Sequence, residues 1–80
     1  PENIPEFKVP EEMIENGKVN IVDLIFSSGF VSSKSEIKRL INQGGVRIDG
    51  KKIDNIDFKL EVKDGQIIKI GKRKFFKLVR

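Results

Sequence analysis

The amino-acid sequence predicts a small α+β domain: two short packed helices against a mixed or antiparallel β-sheet of about four to five strands. Three observations predict it. Two segments carry an apolar stripe at helical spacing behind a side-chain cap. Two Asp-Gly pairs, Asp49-Gly50 and Asp64-Gly65, each lie between short apolar runs, the pattern of tight turns between strands. The order along the chain is helix, helix, hairpin, then two more strands, which is the order of a segregated α+β fold.

Each element has its own signal. Residues 1–17 contain Pro1, Pro5 and Pro10, which block a continuous helix, so an extended acidic linker is expected there, with the domain over residues 18–80. Within it, Val9 to Ile14 suit one short turn with Pro10 at its first position. Asn20 to Ser28 reads as a helix capped by Asn20, favoured by Asp23 at its positive end and stopped by Gly29. Ile21, Leu24, Ile25 and Ser28 share a face, flanked by Val22 and Phe26. Ser33-Lys34-Ser35-Glu36 is an S-x-x-E capping box, the strongest local signal in the chain. The helix behind it runs to Gly44-Gly45. Ile37, Leu40 and Ile41 form its buried stripe, and Lys34, Ser35, Lys38, Arg39 and Asn42 lie on the opposite arc. Val46-Arg47-Ile48 and Lys51-Lys52-Ile53 flank Asp49-Gly50 as a hairpin with Arg47 outward. Residues 54–59 read as loop. Leu60 and Val62 lead into the second turn, Ile67, Ile68 and Ile70 form a strand, and Phe75 to Val79 form the last one. Phe26, Phe30 and one of Phe75 and Phe76 are expected in the core.

Composition excludes much chemistry. The chain has 80 residues and no Cys, Trp, Tyr or His. A thiolate metal site, a disulfide framework and an imidazole base are therefore impossible. No apolar run reaches the roughly 18 residues a membrane span needs, and no signal-peptide pattern appears, which suits a cytoplasmic protein. The first residue is Pro rather than Met, as expected of a segment excised from a longer protein. Charge is divided unevenly. Residues 1–17 hold five glutamates and one lysine, whereas residues 18–80 hold 15 basic and 7 acidic side chains. Such a globular part attracts polyanions.

Several residue groups match no catalytic or metal-binding pattern. Gly65 to Lys72 does not have P-loop spacing, and Arg73 stands where a magnesium-binding hydroxyl is required. Asp49, Asp54, Asp57, Glu61 and Asp64 match no calcium-loop spacing and are explained by turns and a solvated loop. Ser33 and Ser35 have no base to activate them. The helix face of Lys34, Lys38 and Arg39 is different. Lys34 and Lys38 are like-charged four residues apart, a repulsion of a few tenths of a kcal/mol that a phosphate would turn into a gain. Arg47 follows the close-packing glycine pair, and Lys51 and Lys52 lie at the hairpin turn. RNA binding at this surface is the expectation.

The stretch Ser33 to Ile41, followed by Gly44-Gly45-Val46-Arg47-Ile48-Asp49-Gly50, resembles the core motif of the S-four-type RNA-binding domain family. The likeness runs from about Val19 to Val79. Within that family, Gly17 to Ile25, the doubled glycine and Gly71-Lys72-Arg73-Lys74-Phe75 resemble the C-terminal domains of bacterial-type tyrosyl-tRNA synthetases. The resemblance implies a helix-turn-helix-like, αL-type pair of helices and a tRNA partner, gripped near the anticodon stem and long variable arm. It implies RNA-facing roles for Lys34, Ser35, Lys38, Arg39, Gln43, Arg47, Lys72, Arg73 and Lys74. Asp49, often Asn in the family, is not expected to touch phosphate. ATP-dependent catalysis belongs to a parent domain whose H-I-G-H-like and K-M-S-K-S-like signatures are absent here, so no cofactor, metal, small-molecule substrate or catalytic residue is expected in this segment. A monomeric segment of a homodimeric parent is expected. A module of another RNA-modifying or ribosome-associated protein, or a structural appendage without RNA, are the alternatives.

Overall fold

Asn20 starts the first helix through its side chain. Its carboxamide oxygen accepts from Val22 N at 2.9 Å and Asp23 N at 3.2 Å, satisfying two of the otherwise orphaned first-turn amides. The helix, α1, spans Ile21–Ser28 and ends at Gly29 with φ of 80°. The second helix, α2, spans Lys34–Asn42, with Ser33 Oγ accepting from Glu36 N at 3.4 Å. Its end is a complete Schellman motif: Gly45 N donates to Leu40 O at 2.8 Å and Gly44 N to Ile41 O at 3.0 Å. Gly44 takes the left-handed residue, with φ of 75°. The sequence therefore sets both ends of both helices by local chemistry. The structure is a computed structural model that describes residues 4–80.

The strands, in chain order, are β1 (Glu6–Lys8), β2 (Lys18–Asn20), β3 (Val46–Ile48), β4 (Lys51–Ile53), β5 (Lys59–Glu61), β6 (Ile67–Ile70) and β7 (Lys74–Val79). Five form one sheet in the order β1-β7-β6-β3-β4, and β2 pairs antiparallel with β5 in a second, two-stranded ribbon. In the main sheet only β1 and β7 run parallel. Asp49 and Gly50 both have positive φ, 51° and 84°, as the two-residue turn between β3 and β4 requires. The Asp49 carboxylate also accepts from Ile67 N at 3.0 Å, tying the turn to β6.

One apolar core lies between helices and sheet. Ile21, Leu24 and Ile25 of α1 and Ile37 and Ile41 of α2 are fully buried against Val46, Ile68, Phe76 and Leu78. Phe76 is the largest of these. Phe30 stacks on it at a centroid distance of 4.8 Å, and Phe7 meets it edge-on at 6.1 Å. No polar or charged residue is buried among the described residues, so any site lies on the surface.

The structure departs from the sequence expectation in three places. The lead-in does not remain outside the domain: Glu6–Lys8 joins the sheet beside β7 and Val9 is fully buried, although the short turn expected at Pro10 does form, as a 3₁₀ turn at Glu11–Met13. Pro1 and the two residues after it lie outside the described residues. Lys18–Asn20 and Lys59–Glu61 become strands by pairing with each other. Phe26, expected in the core, is 42% exposed, because it sits beyond Val22 at the outer edge of the stripe on α1. Phe76 is the buried member of its pair and Phe75 is half-buried, as the alternation along β7 requires.

Candidate nucleic-acid interface

The apolar stripe of α2 decides what its other side shows. With Ile37 and Ile41 locked inward and Leu40 half-buried, Lys34, Ser35, Lys38, Arg39, Asn42 and Gln43 are all exposed. Going round the helix they follow one another from the α1 side towards Glu36 and Leu40. Lys34 borders α1, where its ammonium lies 3.4 Å from the Asp23 carboxylate and 5.2 Å from the centre of the Phe26 ring. Both partners are about half exposed, so this pair orients Lys34 and contributes little to stability. Lys38 and Arg39 have no carboxylate at salt-bridge distance among the described residues.

Beyond Leu40 the surface dips into a groove of about 480 Å³ whose far wall is the turn between β6 and β7. Phe30, Val31, Leu40 and Ile70 line its apolar part, Lys72, Arg73 and Lys74 its basic rim, and Glu36 of α2 also lines it. Gly71 N donates to Gly45 O at 2.7 Å, which fixes this turn against the end of α2. Lys74 Nζ donates to Phe30 O at 3.2 Å, so the rim is also held to the connection between the helices. A second hollow, of about 630 Å³, lies on the other side, between the lead-in and α1. Lys18, Lys34 and Lys59 line it together with Glu15 and Asp23, so its charge is mixed.

Arg47 belongs to a different neighbourhood. It stands on β3 directly opposite Lys52 of β4 and Lys69 of β6, with all three side chains exposed. Its guanidinium donates to Gly50 O at 3.2 Å. Lys52 in turn reaches towards the end of α2: a Cβ built on Gly44 would lie 2.9 Å from Lys52 Cδ. The nine residues expected to face RNA thus fall into three sets. Lys34, Ser35, Lys38, Arg39 and Gln43 share the exposed side of α2, Lys72 to Lys74 rim the adjoining groove, and Arg47 lies in the sheet. Lys52 belongs with the hairpin-turn lysines already read into this surface, since a two-residue loop at Asp49-Gly50 places residues 47 and 52 opposite each other; Lys69 joins them only through the β3–β6 register.

These elements have relatives. Residues 19–65, which hold both helices, the hairpin and β5, match the S4 domain. The chain belongs to the S4 domain family. Along almost its whole length this S4 domain chain is also similar to larger proteins. It is 46% identical over 99% of its residues to the tyrosine–tRNA ligase of Carboxydothermus hydrogenoformans. It is 42% identical over 98% to that of Thermotoga maritima. It is 46% identical over 95% to that of Dehalococcoides mccartyi. The chain spans only about a fifth of the length of these relatives, 20%, 18% and 19% respectively. The similarity to the ligases takes in β1, β6 and β7, which lie outside the S4 match. No helix among the described residues is long and apolar enough to cross a membrane.

Proposed function

We propose that the chain is the tRNA-gripping module of a tyrosine–tRNA ligase. The observation that carries the proposal is the 46% identity over 99% of the chain to a ligase of which it makes up only a fifth. An S4 domain alone would suit many RNA-handling parents. The lead-in and the Lys72-Arg73-Lys74 turn, inside the ligase similarity but outside the S4 match, favour this parent over the others.

The module binds by charge and shape. The exposed side of α2 lies along a phosphate backbone, with Lys34, Lys38 and Arg39 as the cations and Ser35 and Gln43 as hydrogen-bonding neighbours. Arg39 and Arg47 can each fork two phosphate oxygens, which lysine cannot. The positive end of α2 adds to the field at Lys34 and Ser35. Lys72, Arg73 and Lys74 provide a second strip of contact. The target is the region between the anticodon stem and the long variable arm. Tyrosine activation with ATP takes place in another part of the parent, in the cytoplasm, and this module contributes affinity through linkage to it.

The test is fluorescence anisotropy with two tyrosine tRNA transcripts, one with its long variable arm and one with the arm deleted. The arm-bearing transcript is expected to bind more tightly. Equal affinity for both, or no affinity for either, would refute the assignment.

A further inference from the structure

The geometry points to a second RNA surface on the outer face of the main sheet, where a single-stranded segment lies across Lys52, Arg47 and Lys69 with a base on Phe75. Four adjacent strands present these residues in one register: Lys52 opposite Arg47, Arg47 opposite Lys69, and Lys69 opposite Phe75. Directly opposed side chains on one sheet face have Cβ atoms only about 4.5–5.5 Å apart, and like charges so placed destabilise the sheet. Here three cations stand in a row. No carboxylate among the described residues is at salt-bridge distance from any of them. A run of phosphates relieves the repulsion of all three together.

The end of the row narrows the kind of polyanion. Phe75 is half-buried beside Lys69, and its neighbours along the same face, Ile67, Lys77 and Val79, are half-buried as well, Lys77 being paired with Glu6. A cationic row ending at a partly open aromatic ring suits a nucleotide whose base is free to stack. A duplex keeps its bases inside and offers only phosphate, so this surface selects unpaired RNA. Its centre, at Lys69 and Phe75, lies away from the exposed side of α2, because α2 packs through Ile37 and Ile41 onto the opposite, buried face of the sheet, while Lys52 marks its border with the end of α2 at Gly44. It does not depend on the identity of the parent enzyme.

The test is a single-stranded RNA decamer without secondary structure, titrated into the isotopically labelled chain and followed by amide chemical shifts and by anisotropy. Shifts are expected at residues 47, 52, 69 and 75. Lys52→Gln with Lys69→Gln should weaken binding of the decamer about tenfold and lower its salt slope by about 1.4. Phe75→Leu, which keeps an apolar side chain, should weaken it about fivefold by removing the stacking surface. Shifts confined to α2, or an unchanged constant in both variants, would overturn the proposal. Equal shifts with inorganic polyphosphate would overturn it too, by showing a plain charge effect. Decamer binding on the sheet without preference for the variable arm of tRNA would refute the ligase assignment and leave this surface standing.

Discussion

Replacing Lys38 and Arg39 together by glutamate tests the α2 interface most directly. Both side chains are exposed, and neither has a carboxylate at salt-bridge distance among the described residues, so little native structure is lost. Glutamate matches lysine and arginine closely in helix propensity. Its charge in the second half of α2 opposes the dipole by about 0.3–1 kcal/mol. Against this, the Lys34–Lys38 repulsion becomes an attraction at the same four-residue spacing, a gain of a few tenths of a kcal/mol. Stability should therefore change by less than about 1 kcal/mol. Binding should change far more. A unit charge 4 Å from a phosphate in water is worth about 1 kcal/mol, so each reversal swings the interaction by about 2 kcal/mol, less whatever salt screens. Two such swings correspond to a loss of roughly 30-fold to several hundred-fold. The slope of log affinity against log salt should also become shallower by about 1.4–1.8, because two counterion-releasing contacts are lost. Anisotropy with a tyrosine tRNA transcript at four salt concentrations measures both, and far-UV circular dichroism checks folding. A folded double variant with the parent affinity and slope would show that this face of α2 does not meet RNA.

Other outcomes follow from the packing. Asn20→Ala should cost about 1–2 kcal/mol, since it removes the cap on Val22 N and Asp23 N as well as the hydrogen bond from Asn20 Nδ2 to Ile56 O, whereas Asn20→Asp should recover most of the loss in thermal melts. Phe76→Ala should cost about 3–5 kcal/mol, at least a quarter of the roughly 4–12 kcal/mol a domain of this length has. Urea titration by circular dichroism measures this, the chain having no Trp or Tyr to report by fluorescence. Gly44→Ala should cost about 1–2 kcal/mol for the left-handed backbone, and the 2.9 Å approach of its Cβ to Lys52 Cδ should add little, because that exposed side chain can swing aside. Thermal melts should therefore show nearly the same loss for Gly44→Ala with or without Lys52→Ala.

The parts legible in the sequence are those whose causes lie a few residues apart. Ser33 and Glu36, Asn20 with Gly29, and the Asp49-Gly50 turn each act within one turn of chain, so α1, α2 and the β3–β4 hairpin could be placed from residue order alone. The strands β1, β2 and β5 were hidden for the opposite reason. Each is three residues long and is strand only because of a partner far along the chain, such as Val19 opposite Leu60 or Phe7 opposite Leu78. No local pattern encodes such a pairing. Phe26 shows a related limit. Its hydrophobicity argued for the core, but its angular position on α1 carries it past Val22 to the rim, beside Lys34. The exposed side of α2 was legible from helical spacing. The alignment of Lys52 and Lys69 with Arg47 was only half so, since the turn sets the β3–β4 register, whereas β6 arrives across a loop.

The parallel seam between β1 and β7 has a mechanical consequence. Pro5 O accepts from Lys77 N at 2.8 Å, and Val9 N donates to Val79 O at 2.9 Å, so the seam is bonded at both ends. Tension applied along the lead-in while RNA restrains the helices pulls β1 lengthwise past β7. Its hydrogen bonds then bear the load in shear, all at once, instead of peeling apart one by one. A segment anchored this way can pass a lengthwise pull into the domain without first unravelling at its base.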